Sequence, residues 1–267
     1  MSTNILAKIV ASKFGEVAER KKQISIAQLE AMPLFEQKGY SLKANLLDKT
    51  KTGIIAEFKR QSPSKGIINA IANVAEVSKA YTEFGAAGVS VLTDGPYFGG
   101  SLADLNIAVQ NSISVLRKEF IIDEFQIIEA KAHGASVILL IASCLTPTET
   151  KLLAGTAKAL GMEVLLELHD ETELAHICDE VDFVGINNRS LKSFEVNIEH
   201  SLKLKNLLPK EKLSIAESGI YDLATFQLLK KEGFDGFLMG EYFMKQADPA
   251  KAFELFVSQI KSSSNAI

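Results

Sequence analysis

Eight short apolar runs alternate with longer amphipathic segments from Gly53 onward, and no GxGxxG follows the first run. These observations predict an α/β fold of the (β/α)8 TIM-barrel class with an N-terminal helical extension. The runs span residues 54–60, 89–94, 113–120, 136–142, 163–169, 183–189, 213–219 and 236–240. Most are apolar at consecutive positions through the middle, as expected of parallel strands buried on both faces. Eight is the closing number for a barrel, whereas an open dinucleotide-binding sheet would carry the glycine fingerprint.

In chain order, residues 3–22 come first. They place Ile5, Leu6, Ile9, Val10, Phe14 and Val17 close to the i, i+3, i+4, i+7 spacing of an amphipathic helix. A short helix is expected at 25–31 with Ser25 as its N-cap. The first 50 residues are therefore read as an extension packed on a barrel of residues 51–267, the whole being one domain. Between the strands, helices are expected at 74–84, 124–133, 147–160, 171–178 and 223–232. Start signals include Thr146-Pro147 and, before the last helix, Asp248-Pro249.

Composition narrows the function. The 267 residues carry 29 Lys and Arg against 33 Asp and Glu, a net charge of −4. No basic excess suggests nucleic acid, and an anionic substrate must be drawn by a local field. Cys144 and Cys178 are the only cysteines, too few for a disulfide framework, and the four histidines form no metal-binding pair. Lys8, Lys13 and Glu16 interrupt the N-terminal segment, and the longest apolar run falls far short of a membrane span. The expectation is a cytoplasmic protein with inert thiols, no metal, no cofactor, and no nucleic-acid or membrane partner.

Polar residues gather where the apolar runs end. Glu57 and Lys59 finish the first run, Lys118 the third and Glu167 the fifth. Asn188 and Arg189 finish the sixth, and Glu217 and Ser218 the seventh. In a barrel, strand C-termini share one mouth, where active sites are built. Glu57 and Lys59 differ by two and share a face; Asn188 shares parity with Ile186 and Val184, and Glu217 with Ile215. If these parities point inward, two lysines share a cavity with acids and an amide, an arrangement suited to acid–base chemistry. Ser218 and Gly219 after the seventh run, with Gly240 and Glu241 after the eighth, let backbone N–H groups approach a phosphate. Residues 241–246 would supply a short extra helix there.

The stretch Glu57-Phe58-Lys59-Arg60-Gln61-Ser62-Pro63-Ser64 resembles the signature of indole-3-glycerol phosphate synthases. The likeness continues at residues 41–44, 97–101, 117–120, 165–167, 185–189 and 216–220. It implies ring closure of 1-(2-carboxyphenylamino)-1-deoxyribulose 5-phosphate with loss of CO2 and water, without a cofactor. By that resemblance Lys118 is the principal general acid and Glu167 its partner in the later dehydration. Lys59 contacts the acidic groups of the substrate, and Glu57, Asn188 and Glu217 orient lysines and hydroxyls. Ser62, Phe98, Arg189 and Ser218 are expected to bind substrate, and Ser218, Gly219, Gly240 and Glu241 the phosphate. The expected partners are a small phosphorylated substrate and, for a monomeric enzyme, other enzymes of the tryptophan pathway.

Two positions depart from the pattern. Gln61 stands where a small or basic residue is more frequent, and Glu241 where a small hydroxyl residue is common. A glutamate side chain cannot donate to phosphate, so its carboxylate is expected to point outward with only the backbone N–H contributing. Two other readings remain open: a Schiff-base, aldolase-like barrel using Lys59 or Lys118, and a sugar-phosphate-binding barrel without chemistry. Phosphoribosylanthranilate isomerase is less apt, because that barrel uses a cysteine base on its first strand.

Overall fold

Each expected run forms a parallel strand: β1 (Ile54–Phe58), β2 (Gly88–Leu92), β3 (Val115–Lys118), β4 (Val137–Ile141), β5 (Glu163–Leu168), β6 (Phe183–Asn187), β7 (Leu213–Glu217) and β8 (Gly236–Met239). The computed structural model describes residues 5–189 and 195–264. β1 pairs with β2 on one side and with β8 on the other, closing the barrel. The strands stop one or two residues short of their expected ends. Lys59, Asn188, Arg189 and Ser218 consequently stand just past the sheet, in the loops at its mouth.

Two apolar layers hold the barrel. Its interior packs Ile55, Leu116, Val137, Leu139, Ile141, Leu165, Phe183, Ile215 and Leu238. The alternate residues, such as Ile54, Ala56, Val184 and Ile186, face the surrounding helices. That division fixes which strand-end residues point into the mouth.

The extension contacts both ends of the barrel. Helix α1 (Ile5–Gln23) buries Leu6, Ile9, Lys13 and Val17. Phe14, expected on the apolar face, is 62% exposed, and Lys13 occupies the buried stripe instead. Helix α2 (Ile26–Glu30) begins with the expected Ser25 cap, completed as a capping box by Gln28. Helix α3 (Leu42–Leu47) is capped by Ser41 and sends Leu42 into the barrel interior. The Glu163 carboxylate, at the start of β5, accepts from the Leu42 N–H at 2.7 Å and so fixes this plug at the closed end.

Outside the barrel, helices at Val74–Glu83, Glu124–Ala132, Pro147–Ala159, Leu223–Lys231 and Pro249–Ser264 match expectation. The segment expected as a helix at 171–178 is a 3-10 helix over Glu171–His176. Short helices at Gly95–Phe98, Leu102–Ala108 and Ile198–Lys205, with a hairpin of Gln61–Ser62 against Gly66–Ile67, have no counterpart in the sequence reading. The extra helix after β8 is present but shorter than expected, at Glu241–Met244. No helix among the described residues is long and apolar enough to cross a membrane.

Candidate active site

At the mouth, Lys118 ends β3 and reaches across the barrel axis. Its Nζ lies 2.6 Å from Glu217 Oε2 and 3.2 Å from Glu167 Oε2. Burial alone would weaken the hold of Lys118 on its proton, but the negative charges of Glu217, Glu167 and Glu57 outweigh it and raise its pKa. Burial also works against the Glu167 anion. The Lys118 ammonium, His169 and a hydrogen bond from Asn187 overcome it and hold Glu167 ionised. Glu217 goes the other way: burial, reinforced by the charge of Glu167, pushes its pKa up despite Lys118. Two carboxylates sharing one ammonium thus acquire different characters.

A second pair sits beside the first, with Lys59 Nζ 2.7 Å from Glu57 Oε1. Two glycines make room for these acids. A Cβ at position 185 would come within 2.0 Å of Glu217 Oε1, and one at 240 within 2.8 Å of Glu57.

The sixth strand requires a correction. Val184 and Ile186 face the helices, so Asn188 does too, and Asn187 is the amide turned into the cavity. Asn187 Nδ2 donates to Glu167 Oε1 at 3.0 Å. Asn188 Nδ2 instead donates to the Ser218 carbonyl at 2.7 Å, and its N–H to the Glu217 carbonyl at 2.8 Å. Asn188 therefore braces the turn after β7 and does not orient the lysines.

That turn is conformationally unusual. Ser218 and Gly219 are consecutive left-handed residues, with φ of 66° and 72°. Both line the cavity with Gly240 and Glu241, while Ser62 and Phe98 line it from the loops after β1 and β2.

Glu241 departs from expectation, because its carboxylate does not point outward. It accepts from Arg189 Nη2 at 2.9 Å within the cavity wall, and the same guanidinium donates to Tyr221 Oη at 2.6 Å. Glu241 has to find a cation in this position because it cannot donate to an anion.

Sequence reasoning missed the apolar wall. Ile5, Leu6 and Ile9 of α1 join Phe98, Phe120 and Ile141 around the lysines. The Phe98 and Phe120 ring centres are 5.9 Å apart. The spacing of Ile5, Leu6 and Ile9 marked a buried helix face, but nothing in it said that the face covers a cavity. Such a wall suits a flat aromatic group next to the charged floor.

The residues from Leu6 to Phe256 match the family model described as indole-3-glycerol phosphate synthase. The chain belongs to the indole-3-glycerol phosphate synthase family. The synthase of Bacteroides thetaiotaomicron is 42% identical over 259 residues, covering 97% of this chain and 99% of that one. The synthase of Acinetobacter baylyi is 41% identical over 265 residues, covering 96% and 97%.

Among solved structures, the tryptophan synthase alpha subunit of Legionella pneumophila superposes with a TM-score of 0.62 at 12% identity, covering 85% of this chain and 98% of that one. Thiamine phosphate pyrophosphorylase of Pyrococcus furiosus gives 0.57 at 15% identity, covering 82% and 99%. These distant likenesses speak for the barrel alone. The family places the chain as a carboxy-lyase of tryptophan biosynthesis acting on a phosphorylated substrate. A Schiff-base mechanism at Lys118 would need a free amine, whereas three carboxylates keep this one protonated.

Proposed function

We propose that this mouth closes the five-membered ring of 1-(2-carboxyphenylamino)-1-deoxyribulose 5-phosphate with Lys118 as general acid and Glu167 as base. The placement of Lys118 Nζ between Glu167 and Glu217 carries the reading. A protonated lysine can give its proton to the sugar carbonyl oxygen as the aromatic carbon attacks. Loss of CO2 then returns the ring electrons without a metal or cofactor. Dehydration follows, with the ionised Glu167 taking the C–H proton and an ammonium protonating the departing hydroxyl.

Lys59, held by Glu57, meets the substrate carboxylate. Asn187 takes the orienting role first expected of Asn188, and Glu217 fixes Lys118. Phe98 and the α1 wall hold the aromatic ring, with Ser62 and Arg189 at its edge.

The backbone N–H groups of Ser218 and Gly219, together with those at Gly240 and Glu241, form the phosphate site. Successive N–H groups in a turn of this kind make an anion-binding concavity.

Glu167→Gln tests the division of labour. It should leave ring closure and decarboxylation running but stall dehydration. Mass spectrometry should then find a species that has lost CO2 but not water. Normal turnover by this variant would remove Glu167 from the mechanism.

The extension and barrel act here as one domain, monomeric and in the cytoplasm. The half-buried thiol of Cys144, whose pKa burial pushes up to about 12, suits a reducing compartment. Sedimentation at the mass of one chain would support the monomer, and sedimentation at twice that mass would overturn it. Co-sedimentation with another enzyme of tryptophan biosynthesis would establish the association expected from the sequence.

A further inference from the structure

Proton bookkeeping raises a question that the cavity does not answer. The substrate loses a carboxylate as CO2, so each turnover consumes one proton: carbonyl and leaving hydroxyl take up two, and the C–H returns one. That net proton has to return from solvent to the spent amine of Lys118.

Behind Glu167 stands a chain of groups that the proposed mechanism does not use. His169 follows Glu167 by two residues, and its side chain is 11% exposed. Its Nε2 is buried without a hydrogen-bond partner, 3.3 Å from Glu167 Oε1. Its Nδ1 lies 3.4 Å from Ser143 Oγ and 3.8 Å from Glu173 Oε2. Ser143 is exposed and donates to Glu173. Glu173 also accepts from the His169 N–H at 2.6 Å, and His200 Nε2 meets the His169 carbonyl at 2.9 Å, so the backbone carrying the ring is held on both sides. His169, Ser143 and Glu173 are absent from the cavity lining. The titratable groups facing the imidazole are Glu167 and Glu173, with the Cys144 thiol close to both carboxylates.

We propose that His169, fed by Ser143 and Glu173, is a proton relay that reaches Glu167 from the protein surface. A proton from water reaches His169 Nδ1 through the Ser143 hydroxyl or the Glu173 carboxylate, making an imidazolium. The Nε2 proton passes to Glu167 Oε1, and from Glu167 Oε2 a proton crosses 3.2 Å to the spent amine of Lys118. One proton enters and one is consumed, and proton exchange of the neutral imidazole with water restores the Nε2–H tautomer. His169 touches no substrate and acts through Glu167, so the inference rests on the role assigned to Glu167. At 3.3 Å from Glu167 Oε1, Nε2 stands within reach of the carboxylate it feeds.

The test is steady-state turnover of purified enzyme in weakly buffered solution. His169→Asn keeps a polar amide but carries no proton. It should lower kcat at least tenfold with KM within about twofold. It should also enlarge the solvent deuterium isotope effect and recover kcat when free imidazole is added. The double variant Ser143→Ala/Glu173→Gln, altered on the solvent side, should show the same isotope signature.

Wild-type kcat in either variant overturns the relay. So does a fall in kcat that imidazole leaves unchanged, since that marks a structural role. Glu167→Gln run in parallel separates the two ideas. An active Glu167→Gln enzyme overturns the base itself, whereas a stalled one beside a fully active His169→Asn overturns only the relay.

Discussion

Lys118 bears a charge that three carboxylates stabilise, and this makes its titration adjustable. The alkaline limb of kcat/KM should report loss of the Lys118 proton, at a pH raised by Glu217, Glu167 and Glu57. Glu217→Gln removes the closest anion, so the Lys118 pKa must fall and the limb must move to lower pH. A pH–rate profile checks the sign, and an unmoved limb would mean that Lys118 does not set it. Gly185 is a second sensitive point, since an added Cβ would sit 2.0 Å from Glu217 Oε1. Gly185→Ala should cost about 1–3 kcal/mol by overpacking, read by thermal unfolding, with a concurrent loss of kcat. Glu241 is the third. Its carboxylate occupies Arg189 at 2.9 Å and faces the proposed phosphate site with the wrong charge. Glu241→Ser should free the guanidinium, add a donor and lower the KM for substrate several-fold. A raised KM would show that Glu241 is needed to hold the loop.

Among the elements, α1 depends most on one residue. Lys13 is 3% exposed and bridges Asp94 at 2.9 Å and Glu119 at 3.2 Å. Asp94 caps the helix that carries Phe98, and Glu119 follows Lys118, so one ammonium ties the extension to two walls of the site. Lys13→Met would strand two buried carboxylates at a cost of about 3–5 kcal/mol. Denaturant unfolding should show that loss, along with a raised KM. Burial opposes the Lys13 charge, but Glu119, Glu16 and Asp94 raise its pKa above the ordinary lysine value. Its contribution to stability is therefore complete below an unfolded-state value of about 10.4 and lost only above it. Stability should not fall between pH 7 and 9 on account of this group.

The elements also show how far the sequence could be read. All eight strands and most barrel helices were visible because their apolar runs and caps are local. The one-residue error at Asn187 and Asn188 has a physical origin. Strands apolar on both faces carry no alternation, so parity had to be guessed from apolar neighbours that face the helices. The missed helices at Gly95–Phe98, Leu102–Ala108 and Ile198–Lys205 are eight residues or fewer, with little periodicity to detect. Lys13 read only as a charge interrupting the apolar segment, because its buried partners lie 81 and 106 residues away in the chain.

For the whole molecule, the barrel fixes where the chemistry can occur, and the extension completes the chamber. α3 closes one end with Leu42, and α1 lays Ile5, Leu6 and Ile9 over the other. The proposed acid, base and phosphate turn come from β3, β5 and the loops after β7 and β8, which lie far apart in sequence and meet only when the sheet closes. The central claim is that Lys118 supplies the proton that starts ring closure. The direct measurement is the fluorescence assay for indole-3-glycerol phosphate, with Lys118→Ala run beside the unmodified enzyme. kcat should fall on the order of a hundred- to ten-thousandfold, with KM within a few-fold. Activity within a few-fold of the unmodified enzyme would place the acid elsewhere and contradict the account.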